Sequence, residues 1–131
     1  MQKRNLAVVD TNVLIYDFLE NSPFHKASRE LLNSLDKIIL LPNILVEFIL
    51  VSLRLKIDEN IIRNKVEEIL KNSILVRIKK EDVIGAINLN IKEVNDALLV
   101  IVAKRLGLPI ISYDEDVIKA CKNLGIKIIT P

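Results

Sequence analysis

Four carboxylates in this sequence hold settings that an ordinary surface role does not explain: Asp10, Glu47, Asp96 and Asp114. Asp10 directly follows the apolar run Leu6-Ala7-Val8-Val9, and Asp114 stands two residues beyond Ser112, after Pro109-Ile110-Ile111. Each has two readings, because an Asp between a strand and a helix commonly caps the helix. Glu47 is embedded in Ile44-Leu45-Val46-Glu47-Phe48-Ile49-Leu50-Val51, a segment apolar on every side. Helices of that kind are usually buried, and an ionised carboxylate there is costly unless paired or bound to a cation. A buried ion pair, or a place at the helix rim, are the other readings for Glu47. Asp96 opens Ala97-Leu98-Leu99-Val100-Ile101-Val102-Ala103, with Asn95 competing for the cap position. Asp116 is a fifth candidate, either behind the others or at an outer metal position. Its neighbours Glu115 and Lys119 also suit a solvated surface.

Carboxylates converging without His or Cys suit a hard cation, Mg²⁺ or Mn²⁺, which takes oxygen ligands, keeps several waters and is often completed by substrate phosphate. The chemistry such a group supports is phosphodiester hydrolysis, with a free carboxylate orienting or deprotonating the attacking water. Rival chemistries lack their parts. One Cys and one His do not make a zinc site. Gly85, Gly107 and Gly125 are isolated, so there is neither a phosphate-binding loop nor a dinucleotide fingerprint. His25 has no motif around it that would serve a serine triad. Cys121 falls on the helically spaced stripe Val117, Ile118, Cys121, Leu124 and reads as a buried structural thiol.

The elements that must position these groups alternate along the chain. Strands are expected at Leu6–Val9, Ile38–Leu41, Ile74–Ile78, Pro109–Ser112 and Ile126–Ile129. Between them lie helical stretches at Asn12–Glu20, Ser22–Leu35 with Pro23 in its first turn, Asn43–Leu55, a helix capped by Asp58 and ending near Asn72, and Glu81–Asn88. Asp96–Leu106 and Glu115–Leu124 follow, stopped by Gly107 and Gly125. Strands that are continuously apolar are buried on both faces, and alternation with helices implies a parallel sheet covered on both sides. The expected fold is α/β: one three-layer α/β/α domain over residues 1–131, with a parallel sheet of four to five strands. In such sheets, sites gather beyond the carboxyl ends of the strands at a topological switch point. Asp10 and Asp114 both stand on that edge.

With 131 residues, half of them hydrophobic, the chain is long enough to bury a core, and disorder is unlike it. No apolar run reaches the ~18 residues of a membrane span. Met1-Gln2-Lys3-Arg4-Asn5 leads into a strand rather than a signal-peptide core, so a soluble, cytoplasmic protein is expected. The net charge of +2 gives no strong basic footprint, but carboxylates around a metal lower the total without belonging to the binding surface.

At this point the motifs resemble a known family. Val9-Asp10-Thr11-Asn12-Val13-Leu14 resembles the opening motif of PIN domains, and Pro42 through Val46-Glu47-Phe48 is similar to their second acidic motif. Asn95-Asp96-Ala97-Leu98, with Ala103 and Gly107-Leu108-Pro109 behind it, resembles the third. Ser112-Tyr113-Asp114-Glu115-Asp116 resembles the fourth, with Val117 where that motif usually has Phe. The motifs stand in family order. The resemblance implies a PIN fold and a Mg²⁺- or Mn²⁺-dependent endoribonuclease acting on RNA. Asp10, Glu47, Asp96 and Asp114 would be its metal-binding catalytic acids, with Asn12, Ser112 and Asp116 as supports. The length resembles VapC-type toxins of toxin–antitoxin pairs, which commonly form homodimers and are inhibited by a cognate antitoxin.

Two other readings share the same fold: a PIN-fold module that binds RNA or protein without cleaving, and a housekeeping RNA-processing nuclease. Retention of all four acids favours cleavage, since a binding module has no need to cluster like charges. Lys92, Lys104, Arg105 and Lys119 flank the acidic motifs and are the candidates for sequence-independent phosphate contacts. A solvated charged face serves equally well for each of them. The low aromatic content, 4%, argues against extensive base stacking.

Overall fold

The computed structural model describes residues 4–131, so the expectation resting on Met1–Lys3 lies outside the described residues. In chain order the elements are β1 (Leu6–Val9), α1 (Thr11–Phe18), α2 (His25–Asn33), β2 (Lys37–Leu40), α3 (Pro42–Arg54) and α4 (Glu59–Lys71). They continue as β3 (Ser73–Leu75), α5 (Lys80–Asn88), α6 (Val94–Leu106), β4 (Ile110–Ile111), α7 (Glu115–Leu124) and β5 (Ile128–Ile129). The five strands form one sheet in the order β3-β2-β1-β4-β5, and every pairing is parallel.

Consecutive strand residues point to opposite faces. Ala7, Val8 and Val9 are all fully buried, as are Ile110 and Ile111, so both faces of the sheet are covered. This is the expected α/β/α layering. The chain builds outward from β1 through β2 to β3, then crosses back to lay β4 on the other side of β1. The switch point therefore lies between β1 and β4, where Val8 pairs with Ile110 and Val9 with Ile111. Asp10 and Ser112 are the residues that leave this pair of strands at their carboxyl ends.

Element boundaries differ from the sequence reading in informative places. The second helix starts at His25 rather than Ser22, because the Ser22 hydroxyl accepts the Phe24 N–H at 3.1 Å and holds Ser22-Pro23-Phe24 as a turn. The third strand is shorter than expected and ends at Leu75, with Val76 N–H adding one further bond to Leu40 O. Helix α6 begins two residues earlier than expected, at Val94. Gly107 and Gly125 end α6 and α7 in the left-handed region (φ 66° and 71°), where a Cβ would be strained. Helix α3 is not buried all round: Val46, Leu50 and Leu53, spaced four and three residues apart, are 55%, 48% and 43% exposed. Its apolar face continues past what the core covers.

Two buried ion pairs fix the helices that carry the site. Asp17, near the end of α1, accepts from Lys65 Nζ of α4 and from Arg29 Nε of α2, each at 2.7 Å. Asp82 of α5 is held bidentately by Arg105 of α6, at 2.9 Å to each oxygen. Hydrogen bonding to the Arg105 guanidinium outweighs burial and keeps the Asp82 pKa below the ordinary carboxylate range. Removing one partner of a buried pair strands the other charge, at about 3–5 kcal/mol, whereas replacing both is far milder. Lys65→Met is accordingly expected to lower unfolding stability by about 3 kcal/mol or more. The Asp17→Leu/Lys65→Met double variant should recover most of that loss in urea unfolding.

Candidate active site

Asp10 ends β1 and caps α1, its Oδ1 accepting the Thr11 N–H at 2.7 Å. Its Oδ2 accepts from the buried Ser112 hydroxyl at 2.6 Å, a bond that ties β1 to β4 at the switch point. Ser112 Oγ accepts in turn from the Asp114 N–H at 3.0 Å. Asp114 caps α7, with Oδ1 receiving the N–H groups of Asp116 (2.8 Å) and Val117 (3.2 Å). Both therefore fill the capping role that the sequence offered as one of their two readings. The bond that starts the helix also fixes the carboxylate at the sheet edge. Asn12 bridges the same two loops, its Oδ1 accepting the Tyr113 N–H at 3.2 Å, while its Nδ2 lies 3.5 Å from Asp10 Oδ2.

Glu47 enters from α3, half-buried, and accepts from the Thr11 hydroxyl at 3.1 Å. It belongs to no salt bridge among the described residues. Asp96 sits in the first turn of α6 and is not its cap. The cap position belongs to Glu93, without a side-chain cap bond, so neither Asn95 nor Asp96 fills the role expected of it. Asn95 instead accepts from Asn43 Nδ2 at 3.1 Å, linking α6 to α3. Asp10, Glu47, Asp96 and Asp114 line one open cavity of about 220 Å³ together with Thr11, Asn12 and Tyr16.

The electrostatics follow from that placement. Burial raises the Asp10 pKa, the hydrogen bonds from Ser112 and Thr11 oppose the rise, and the charges of Asp114 and Glu47 add to it. Asp96 is pushed up to about 7, first by burial and then by the charges of Asp114, Asp10 and Glu47. No hydrogen bond contributes to its shift, so nothing offsets the repulsion there. The charges of neighbouring carboxylates thus act on both Asp10 and Asp96. Among the described residues no three His, Cys, Asp or Glu side chains are drawn together into a group that could by itself hold a metal ion. An open set of oxygen donors short of positive charge nevertheless suits a hydrated divalent cation, which binds through one or two carboxylates and retains water for substrate phosphate to displace.

The remaining candidates separate. Asp116 is exposed and lines a neighbouring cleft with Lys92 and Lys119, outside the acidic cavity. Arg105 is held by Asp82 and by Arg77 O, so its guanidinium is part of the α5–α6 packing. Lys104 lines a separate hollow with Gly107 and Gly125, at the end of α6 opposite Asp96. Cys121 is fully buried, and its thiol is pushed up to about 11, chiefly by desolvation. Three neighbours of the acids were not singled out from sequence: Thr11, which holds Glu47; Asn43, which holds Asn95; and Tyr16, which lines the cavity. The adjacency of Thr11 to Asp10 was the available signal for the first. Few as they are, three of the aromatics gather here, Tyr16, Phe24 and Tyr113 having ring centroids 4.9–5.1 Å apart.

The comparisons with known proteins converge on one family. No curated protein sequence matches the chain. Among solved structures it superimposes on Mycobacterium tuberculosis VapC20, described as a sarcin-ricin loop cleaving toxin, with a TM-score of 0.76 at 15% identity, covering 87% of this chain and 94% of that one. The VapBC2 structure from Rickettsia felis, bound to a DNA fragment from its promoter, matches with a TM-score of 0.72 at 16% identity, covering 96% and 98% of the two chains. A toxin–antitoxin complex from Klebsiella pneumoniae matches with a TM-score of 0.62 at 16% identity, over 84% of this chain and 88% of that one. At these identities the overlays speak for the fold. The sequence model of the PIN domain matches residues 7–123, and on that extent of match the chain belongs to the PIN-domain family.

Proposed function

We propose that the protein is a Mg²⁺- or Mn²⁺-dependent endoribonuclease that hydrolyses RNA phosphodiester bonds, and that it is the toxin of a toxin–antitoxin pair. The observation that carries the nuclease reading is the convergence of Asp10, Glu47, Asp96 and Asp114 on one open cavity at the sheet's switch point. They come from four separate segments, and burial together with the charges of the other three raises the Asp96 pKa. A fold does not accumulate that repulsion for packing. The toxin reading is supported by the overlays on VapC20, described as a toxin and matched over 94% of its chain, and on the Klebsiella pneumoniae toxin–antitoxin complex, matched over 88% of that chain.

Asp10, Glu47, Asp96 and Asp114 would hold the cation, which would supply a lowered pKa to water and stabilise charge on phosphoryl oxygens. The rest is done by the chain itself. Ser112 and Asn12 keep the Asp10 carboxylate in one rotamer through bonds at 2.6 and 3.5 Å, and Thr11 does the same for Glu47. Asp114 is aimed by the first turn of α7. Asp96, with no hydrogen bond to restrain it, is free to turn toward the cation it would share with the other three.

The partners we propose are a cognate antitoxin and a second copy of the chain, in a cytoplasmic setting. Two apolar surfaces on separate helices support a need for cover: Val46, Leu50 and Leu53 on α3, and Val83, Ile84 and Ile87 on α5, the last 71% exposed. Among the described residues, no helix is long and apolar enough to cross a membrane.

Cleavage of a mixed single-stranded RNA pool tests the central reading. Asp10→Asn, Glu47→Gln, Asp96→Asn and Asp114→Asn should each reduce it about 100-fold or more, with circular dichroism unchanged. Cation-independent cleavage, or full activity in all four variants, would sink the assignment.

The same site predicts a stability signature. The folded-state pKa of Asp96, about 7, exceeds its unfolded value, so the folded protein binds that proton more tightly. Ionised Asp96 therefore destabilises the cation-free protein above pH 7, and the penalty is relieved as pH falls through 7 toward the unfolded value of about 4. Asp96→Asn should raise the Tm of the cation-free protein at pH 8, and the gain should vanish near pH 4. A cation at about 100 times its Kd should stabilise the wild type by roughly 2.7 kcal/mol, Mn²⁺ more than Mg²⁺ at equal concentration. Most of that response should be missing from the Asn variant in a thermal melt.

A further inference from the structure

Beside the acidic cavity lies a larger cleft of about 490 Å³, between the Leu89–Lys92 segment and the outer face of α7. We propose that this cleft is a nucleotide subsite, taking the nucleotide next to the scissile phosphodiester of a single-stranded RNA. The proposal rests on the nuclease reading for its register, and on the cleft's own chemistry for its ligand.

Three features of the cleft match the three parts of a ribonucleotide. Its floor is apolar, formed by Leu89, Ile91 and Leu124, each only partly covered by the protein. That is a surface for the face of a base. Asn90 and Asn123 stand exposed on opposite sides, and each amide offers both donor and acceptor groups to a base edge. Lys92 and Lys119 are exposed and enter no salt bridge among the described residues. Arg29, Lys65 and Arg105, in contrast, are already committed to acids. Two unpaired ammonium groups on one cleft are free for phosphate. The volume falls within the ~300–1,000 Å³ of small-molecule sites.

Connectivity to the site supplies the register. Asp116 lines the cleft, and its N–H is bonded to Asp114 Oδ1 at 2.8 Å, so the cleft and the acidic cavity share the first turn of α7. Lys119 is five residues beyond Asp114, about 7.5 Å along the helix by its rise per residue. A strand with its scissile phosphate at Asp114 would lay the adjoining nucleotide over Lys119. The Asp116 carboxylate repels phosphate, but it accepts hydrogen bonds, and a ribose 2′-hydroxyl is the donor that distinguishes RNA from DNA. Asp116 is thereby a specificity residue, which explains an acid placed among lysines.

The test measures binding apart from cleavage, by fluorescence anisotropy of a labelled single-stranded RNA oligonucleotide with the full chain, divalent cations removed. Lys92→Ala/Lys119→Ala should weaken binding at least 10-fold and flatten the dependence of log K on log salt by about 1.4, the value for two phosphate contacts on a single strand. With cations restored, the double variant should raise KM and leave kcat near wild type. Asp116→Asn should narrow the preference for RNA over DNA of the same sequence. Lys104→Ala, with its charge at the far end of α6, is the control and should change neither affinity nor slope. An unchanged slope in the double variant overturns the subsite even if the protein cleaves RNA, as does an equal effect from Lys104→Ala or a wild type that binds no RNA. A wild type that binds with the predicted slope change but cleaves nothing sustains the subsite and removes the nuclease reading instead.

Discussion

The structure is organised around a repulsion. Four carboxylates line one cavity at the edge of a sheet buried on both faces, where burial and neighbouring negative charge raise the pKa values of Asp10 and Asp96. Left to itself such a group would splay, protonate or turn to solvent. Two of the four are prevented from doing so by backbone donors. Asp10 and Asp114 take their N–H groups from helix starts, and the positive end of a helix favours a carboxylate there. The Ser112 hydroxyl supplies a further donor, joining β4 to β1 at the point where the chain changes direction across the sheet. Glu47 has one donor and Asp96 has none, so nothing offsets the burial and the neighbouring charges that raise the Asp96 pKa.

The rest of the fold can be read as what keeps those donors aimed. Helix α1 must not swing, and the Asp17 carboxylate is clamped by Lys65 and Arg29 from two other helices. Helix α6 must present its first turn, and Arg105 pins its other end to Asp82 on α5. Ion pairs of this kind add little net stability relative to apolar replacements, but they are intolerant of losing one member. Their contribution here is to orientation.

How much of this was legible in the sequence depended on what kind of rule each feature obeys. Strands β1, β2 and β4 announced themselves as apolar runs because both faces are buried, and the glycines after α6 and α7 marked left-handed stops. Position along the chain also placed Asp10 and Asp114 on one edge of the sheet, because strand ends are local. What depends on partners was not legible. Arg105 and Lys92 look alike beside acidic motifs, yet one is held by a buried Asp82 and the other faces a cleft. Asp17 carries no motif, and its role exists only because α2 and α4 bring cations to it. Helix α6 could not be started correctly from its cap residues, because its cap position makes no side-chain bond.

Helix α3 shows why hydrophobicity alone misjudges burial. Its sequence is apolar on nearly every side, which for a monomer would mean full enclosure. Only Ile44, Phe48 and Ser52 are buried, a stripe at four-residue spacing that meets the core, while Val46, Leu50 and Leu53 remain in solvent. The composition therefore exceeds what packing against the sheet requires, and it leaves a second apolar stripe that the chain itself does not cover. Glu47 lies on the boundary between those faces, one residue from exposed Val46 and one from buried Phe48. The exposed apolar stripe and the acid that lines the cavity therefore share a single turn of helix, and the same turn sets how much of each the chain itself covers.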